Sequence, residues 1–455
     1  MFGKLDHIHF VGIGGSGMSG IALILKNLGY HVTGSDNTKT ALTESLIAKG
    51  IKVNYEHSEL NCVGASVVVY STAIKKDNPE IKYANEHKIP VIPRAEMLAE
   101  LMRMKFSIAV SGTHGKTTVT SMISTMLETA ELNPTVIIGG RVLGTDSGAK
   151  LGQSQYLVAE ADESDRSFLL LFPTIAVVTN IEREHLDCYR NISEIKKAFI
   201  QFVNKTPFFG SVILGIDSPS VRNIVPMVKR DSLTFGFRKD AQVRAENIKL
   251  YDFYSNFVLH YNGQTYNIKL NLPGKHNIQN GLASICVGLK LEIPIDKIAI
   301  ALEHFSGVHR RIELKGEKRK VVVFDDYGHH PTEIKATLAA LRNAYPERRI
   351  VVIFQPHRYS RTQSLAKMFS NSFNAADVVV ITKIYAASET PIIGVSSQLI
   401  IDSITQSKSH PEVIYKENTP DIITFLLNYL KPNDIVITLG AGNIWQIGEE
   451  LLKIL

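Results

Sequence analysis

The stretch K-F-S-I-A-V-S-G-T-H-G-K-T-T-V-T-S-M-I-S-T-M-L, Lys105 to Leu127, decides how the chain is read. Its apolar, partly β-branched run Phe106 to Val110 predicts a short buried strand. Gly112 and Gly115 bracket a tight turn, and from Thr117 onward the apolar spacing is helical. A glycine loop between strand and helix lets backbone N–H groups converge on an anion at the helix N-terminus. Lys116 is placed to reach β- and γ-phosphates, and the Thr117 hydroxyl to ligate Mg²⁺. Val110 stands where the general pattern G-x-x-x-x-G-K-[ST] has glycine. A glycine turn with a solvated lysine is the plainer alternative, but G-K-T-T after so clear a strand favours a nucleoside-triphosphate site. As a loop lysine, Lys116 is expected to hold no core, so its removal should leave the fold intact.

Around this stretch lie 455 residues, too many for one ordinary core; about three domains are expected. With 44% hydrophobic and 21% charged residues, the composition is that of a globular protein. No apolar run approaches the roughly 18 residues of a membrane span. The start, M-F-G-K-L-D-H-I-H-F, lacks a signal peptide's apolar core and cleavage site. Cys62, Cys188 and Cys286 are odd in number and far apart, which argues against a disulfide framework or a cysteine zinc site. A reduced, cytoplasmic setting is expected. The net charge of +6 is dispersed, with R-R only at Arg310-Arg311 and Arg348-Arg349. Anionic small substrates explain that balance better than nucleic acid does.

The segment 1–104 begins with a strand at His7 to Val11, then G-I-G-G-S-G-M-S-G, in which Gly12, Gly14 and Gly17 form G-x-G-x-x-G. Ile21 to Leu28 continues as a helix, and a second strand at His31 to Gly34 ends in Ser35 and Asp36. A carboxylate there, about 20 residues on, suits a ribose hydroxyl. Val67 to Tyr70 is a further strand, ending in Ser71-Thr72-Ala73. This is a Rossmann-type nucleotide domain, and the motif alone does not distinguish NAD from another diphosphate nucleotide. Ile89-Pro90-Val91-Ile92-Pro93 reads as a linker, since proline favours extended backbone.

In the segment 105–306, the strand Tyr156 to Ala161 emerges into Glu160-Ala161-Asp162-Glu163-Ser164-Asp165. Glu160 is the residue placed to hold Mg²⁺, while Asp162 and Glu163 fit a solvated acidic turn better. Thr174 to Thr179 is another buried strand, opening into N-I-E-R-E-H-L-D, where His185 is either structural or a metal ligand. From Ser232 to Leu272, alternation and Asn262-Gly263 predict antiparallel strands and a hairpin. In P-G-K-H-N-I-Q-N, the residues His276, Asn277 and Asn280 either bond an adenine or cap the adjoining helix.

The segment 307–455 alternates strands and helices as a second parallel α/β domain. Strands are predicted at Val321 to Phe324, Ile350 to Phe354, Val378 to Ile381 and Ile435 to Leu439, with a loop and then a helix from Asp421 between the last two. Two polar clusters sit at strand ends, the usual ligand edge of such sheets: D-D-Y-G-H-H-P from Asp325, and Q-P-H-R-Y-S-R-T from Gln355. Arg358 and Arg361, on one side of an incipient helix, are placed to clamp a carboxylate or phosphate.

Taken in order, G-I-G-G-S-G-M-S-G, G-T-H-G-K-T-T, E-A-D-E-S-D, T-N-I-E-R-E-H-L-D, G-K-H-N-I-Q-N, D-D-Y-G-H-H-P-T-E and P-H-R-Y-S-R-T resemble the Mur ligase family across the whole chain. The resemblance accounts for Val110, because G-T-H-G-K-T-T is this family's phosphate loop. It implies an α/β protein of three domains: a Rossmann-like N-terminal domain, a central P-loop-type ATPase domain and a Rossmann-like C-terminal domain. It implies that ATP phosphorylates the lactyl carboxylate of UDP-N-acetylmuramate and that an amine attacks the acyl phosphate. The form of the first glycine motif favours L-alanine as that amine.

By the same resemblance, Gly14, Gly15, Gly17, Asp36 and Ser71 surround the UDP-sugar. Gly112, Thr113, His114, Gly115, Lys116, Thr117 and Thr118 cradle ATP, with His276, Asn280 and Arg310 or Arg311 also near the nucleotide. Thr117 and Glu160 hold Mg²⁺, and His185 a second Mg²⁺ between γ-phosphate and carboxylate. Tyr327, His329, Arg358 and Arg361 surround the amino acid and acyl phosphate, with Lys116, His185, His329 and Arg358 the catalytic set. No carbamylated lysine is placed. No nucleic-acid or membrane partner is expected, and the chain is expected to be a monomer or a weak homodimer. Three competing readings remain: a family member that attaches a whole peptide, a nicotinamide dehydrogenase, and a nucleotide-gated regulatory protein. The dehydrogenase leaves Lys116, Thr117 and the third segment without a use.

Overall fold

The computed structural model describes residues 5–71, 73–139, 148–185, 188–387, 389–407 and 410–455. Thr72, Leu186 and Asp187 of the motifs above lie outside the described residues. The chain folds as two compact units. The first comprises Met1–Glu246, Val258–Ile268 and Gln279–Phe305; the second comprises Asn247–Phe257, Lys269–Ile278 and Ser306–Leu455.

In the first unit, β1 (His7–Val11), β2 (His31–Ser35), β3 (Lys52–Asn54), β4 (Val67–Tyr70) and β5 (Val91–Pro93) form an all-parallel sheet in the order β3-β2-β1-β4-β5. Strands buried on both faces read as unbroken apolar runs, as residues 67–69 of β4 do, whereas β1 carries the buried His9 among its apolar residues. Ile8, Phe10, Val67 and Val69 join one core, with helices Ser16–Asn27 and Arg94–Arg103. Val11 and Val68 join another, with Ile81 and Ala84 of helix Pro79–Glu86. The order reverses between β1 and β4, and the glycine loop leaves β1 at that switch point. The helix after it starts at Ser16, five residues earlier than Ile21. The expected linker Ile89–Pro93 is a correction: Val91–Pro93 is an edge strand parallel to β4. An edge tolerates proline because one row of its backbone groups needs no partner strand.

The central sheet holds β6 (Phe106–Ser111), β7 (Thr135–Ile137), β8 (Ala149–Lys150), β9 (Tyr156–Glu160), β10 (Ile175–Val178), β11 (Ser211–Gly215), β12 (Asp231–Gly236), β13 (Val243–Leu250), β14 (Ser255–Tyr261) and β15 (Gln264–Leu270). Their order is β15-β14-β13-β12-β11-β10-β6-β9-β7-β8, with β6 parallel to both β10 and β9. The hairpin at Asn262-Gly263 is present, with φ +48 and +75. Two successive positive φ angles are what a two-residue hairpin turn requires. The antiparallel reading does not extend back to β12, which is parallel to both β11 and β13. Helix Pro219–Ile224 carries the chain from β11 to β12 as a crossover, and a crossover makes a parallel pair.

In the second unit, β16 (Glu313–Lys318), β17 (Val321–Asp326), β18 (Ile350–Phe354), β19 (Val378–Ile381), β20 (Glu412–Tyr415) and β21 (Ile435–Leu439) are ordered β16-β17-β21-β18-β19-β20. All pairs are parallel except β16 with β17. The stretch expected as a loop after β19 carries helix Gln398–Thr405 and the edge strand β20. Because β20 is half exposed, its sequence lacks the apolar run of the inner strands. Among the described residues, no helix is long and apolar enough to cross a membrane, and the three cysteines are unpaired.

Candidate functional site

The loop after β6 is fixed by the segment that leaves β10. Thr113 N–H donates to the Asn180 carbonyl at 3.1 Å, and His114 N–H donates to Asn180 Oδ1 at 2.9 Å. The His114 carbonyl accepts from Thr179 Oγ1 at 2.6 Å and from Asn180 Nδ2 at 3.1 Å. Thr113 Oγ1 in turn accepts from Glu182 N–H at 2.9 Å. These bonds anchor residues 113 and 114 of the loop to the end of one neighbouring strand. Gly115 caps helix Lys116–Thr129 at φ +85, and a Cβ there would stand 2.4 Å from Asn280 Oδ1. Only glycine serves at that position, and Asn280 is thereby brought onto the phosphate loop.

The acids after β9 converge on the same lysine. Lys116 Nζ lies 2.9 and 3.0 Å from the two Glu163 oxygens and donates to the Gly112 carbonyl at 2.7 Å. His185 Nε2 is 3.3 Å from Glu163 Oε1. Burial by itself lowers the Lys116 pKa, but Glu163, Asp162 and Glu160 outweigh it and hold the ammonium well above its ordinary value. Glu163 is therefore a correction to the solvated-turn reading: it is 1% exposed and ion-paired. Alternation along E-A-D-E does not reveal this, because the chain leaves the strand after Glu160 and turns back. Glu160 does point inward, with its carboxylate toward the Thr117 hydroxyl and the Gly139 N–H. Its pKa is raised, chiefly by burial and against the pull of Thr117 and Lys116. Glu160 Oε1 is buried and has no hydrogen-bond partner. A buried, under-satisfied carboxylate oxygen beside a threonine hydroxyl is a donor set of the hard-oxygen kind that Mg²⁺ takes, so these residues fit that ion.

In the first sheet, the Gly14 N–H donates to Asp36 Oδ2 at 2.9 Å, and the Thr38 N–H to Oδ1 at 3.0 Å. Asp36 thus braces the glycine loop. Ser71 borders the same loop, its Cβ standing 3.3 Å from where a Cβ on Gly12 would lie. Sequence reading missed Arg94, the first residue of helix Arg94–Arg103. A Cβ on Gly17 would come within 2.9 Å of its Nη1, so the absent side chain admits the guanidinium to the loop. Its signal was hidden by the linker reading of the residues just before it.

In the second unit, three strand ends assemble one cluster. After β17, Asp326 accepts from the N–H groups of Gly328 and Ile312 at 2.7 and 2.9 Å. His330 caps helix Pro331–Ala344 in a capping box with Glu333, and proline occupies the first turn. Arg310 and Arg311 both lie over the Tyr327 ring, their guanidinium carbons 5.1 and 5.4 Å from its centre. Arg310 is committed on three nitrogens, to Asp325 at 2.8 Å, to the Gly442 carbonyl at 3.2 Å and to the Gly440 carbonyl at 2.5 Å. Those glycines come after β21, in the run G-A-G-N from Gly440 to Asn443. Arg311 pairs with Glu333 at 3.3 Å. His276 lies against Arg311 and Glu333, and burial first, then Arg311, depresses its pKa to about 4.

After β18, Arg358 caps helix Tyr359–Leu365 at φ +69, so it precedes the helix on which Arg361 sits. Arg361 Nη1 is 2.9 Å from His357 Nδ1. The His357 ring lies 5.4 Å from that of His329 and stacks nearly parallel to that of Tyr385 at 5.7 Å. The structure therefore joins Tyr327, His329, Arg358 and Arg361, and adds His357 and Tyr385.

An ATPase-type phosphate loop, a Rossmann order and a third α/β sheet with a polar rim define a class, and comparison with known proteins names it. Residues 7–106 match the catalytic domain of the Mur ligase family, 110–288 the Mur ligase middle domain, and 310–442 the Mur ligase glutamate ligase domain. The chain belongs to the Mur ligase family. It is 51% identical over 455 residues to the UDP-N-acetylmuramate–L-alanine ligase of Trichlorobacter lovleyi, covering 100% of both chains. With the ligase of that name from Geobacter sulfurreducens it shares 49% identity, covering 99% of this chain and 98% of the other. Among solved structures, the UDP-N-acetylmuramate–alanine ligase of Thermotoga maritima superposes with a TM-score of 0.83 at 29% identity over 99% of each chain. A murein peptide ligase from Psychrobacter arcticus gives 0.72 at 25% identity over 98% of each.

Proposed function

We propose that this chain is an ATP-dependent acid–amino-acid ligase that joins L-alanine to the lactyl carboxylate of UDP-N-acetylmuramate, a step of cytoplasmic peptidoglycan precursor synthesis. The observation that carries the reading is the end-to-end 51% identity with a ligase of that name. The division of labour we propose is UDP-sugar binding by 1–104, ATP binding by 105–306 and amino-acid binding by 307–455.

The chemistry asks the protein mainly for position and charge. Backbone amides of residues 112–118 and Lys116 neutralise charge on the γ-phosphoryl group as it moves to the substrate carboxylate. Glu163 and the Gly112 carbonyl hold the Lys116 ammonium beside the phosphate loop. Mg²⁺, held by Thr117 and Glu160, with a second ion at His185, supplies further charge neutralisation when bound. Asn280, against Gly115 of the phosphate loop, serves the nucleotide. Arg358 and Arg361 bind carboxylate and acyl-phosphate oxygens, while Tyr327 and His329 orient the amine. Asp36 braces the glycine loop at Gly14, Gly15 and Gly17, and Arg94 supplies a cation for the nucleotide diphosphate.

The test is ADP release with UDP-N-acetylmuramate against a panel of amino acids and the tripeptide. Release stimulated by L-alanine is expected. Stimulation by the tripeptide alone would make the chain a peptide ligase instead, and release independent of any amine would make it a nucleotide-gated regulator.

A further inference from the structure

Behind the glycine loop, Glu80 of helix Pro79–Glu86 is fully buried and surrounded by donors. Its Oε2 accepts from Ser35 Oγ at 2.6 Å and lies 2.9 Å from His57 Nδ1; its Oε1 accepts from Asn61 Nδ2 at 2.6 Å. His9 Nε2, itself buried, stands 3.5 Å from Oε1. On the far side of the His9 ring, Nδ1 meets Thr33 Oγ1 at 2.8 Å. A carboxylate only accepts, and these neighbours approach it as donors, which is why a charged acid is tolerated here. Burial raises the Glu80 pKa, but His9, Ser35 and Asn61 reverse this and bring it to about 2, so the group stays ionised throughout the working range.

Ser35 links this acid to the substrate loop. Its hydroxyl is the donor to Glu80, while its carbonyl accepts from Gly12 N–H at 2.8 Å and Ile13 N–H at 3.0 Å. The next residue, Asp36, accepts from Gly14 N–H. Three consecutive amides of the loop thus hang on the end of β2, and the side chain anchoring that end is Glu80. We infer that Glu80 is a positioning residue for the sugar-nucleotide site: through Ser35 it fixes which loop amides face the diphosphate. This rests on the UDP-sugar reading of the first domain.

Glutamine at position 80 turns an acceptor into a donor facing Ser35, His57 or Asn61, which pushes the end of β2 away. Glu80→Gln is expected to raise KM for UDP-N-acetylmuramate about tenfold or more, with kcat and the KM values for ATP and alanine within about twofold of wild type. Ser35→Ala should do the same more weakly. In the Ser35→Ala background, Glu80→Gln should add much less than it does alone, since the effect passes through that hydroxyl. Should Glu80→Gln fail to fold, His57→Asn, which alters the partly exposed end of the same network, is measured in its place with the same Ser35→Ala cycle. Unchanged KM for the sugar nucleotide, equal changes in every kinetic constant, or strict additivity in the cycle would overturn the inference. Wild-type protein inert toward UDP-N-acetylmuramate would instead overturn the functional reading on which it rests.

Discussion

Lys116 Nζ stands 2.9 and 3.0 Å from the two oxygens of Glu163, a residue 1% exposed. The phosphate-loop lysine is therefore one half of a largely buried ion pair, and this alters what its removal does.

Taken as a loop lysine, Lys116 holds no core, and Lys116→Ala should leave the fold intact. The pair says otherwise: truncation leaves the buried Glu163 carboxylate without its ammonium partner, for which about 3 kcal/mol of stability is the expected loss. Lys116→Ala/Glu163→Ala should regain most of that loss while turnover stays down by about a hundredfold or more, the scale for one transition-state charge contact. Thermal melts and ADP release on the three variants check this. A single variant as stable as wild type would mean that the pair contributes nothing to folding.

Gly115→Ala puts a Cβ 2.4 Å from Asn280 Oδ1 on a residue at φ +85. Strain of about 1–3 kcal/mol is expected, relieved by displacing the loop or Asn280. The KM for ATP should rise several-fold or more, with that for UDP-N-acetylmuramate unaffected. Steady-state kinetics with each substrate varied in turn decides it.

Arg94→Ala is expected to act in the opposite compartment. Among the described residues its guanidinium has no hydrogen-bond or ion-pair partner, so the melting temperature should hardly move. Loss of a charge-assisted contact to a diphosphate should raise the KM for UDP-N-acetylmuramate about tenfold and leave that for ATP alone. Equal affinity for the sugar nucleotide in wild type and variant would remove Arg94 from the site.

Two titratable groups of the second unit oppose one another in acid. His276 has its pKa lowered from 6.5 to about 4, by burial and then Arg311, so it contributes stability above pH 6.5 that is lost as pH falls through 4. Asp326 is pushed up from 3.8 to about 6, by burial and against Arg311, so its contribution is full below pH 3.8 and is lost as pH rises through 6. Each amounts to about 3 kcal/mol, and between pH 4 and 6 the two largely cancel. His276→Gln should therefore expose the aspartate: relative to wild type, the variant should gain stability as pH drops from 6 to 4. Denaturant melts across that range test it, and parallel curves for the two proteins would exclude the compensation.

The sequence by itself determined the inner strands that carry the motifs, the polar loops at their ends and the family. Continuous apolar runs such as β18 and residues 67–69 of β4 announce strands buried on both faces, and glycines with Lys116, Thr117 or His329 after them need no partner to be recognised. It also placed Glu160, because one step of strand alternation reaches it. Only the tertiary structure decided which groups face each other. Glu163 lies beyond the strand, where alternation ends, so its place beside Lys116 depends on how the chain returns. Arg94 reaches the glycine loop because β5 is a strand rather than a linker, and edge strands with proline carry a weak local signal. Glu80 and Ser35 are 45 residues apart, and their 2.6 Å bond exists because β2 and helix Pro79–Glu86 pack on one sheet. Local propensity acts over a few residues, whereas the burial that makes these charges matter is a property of the packed chain.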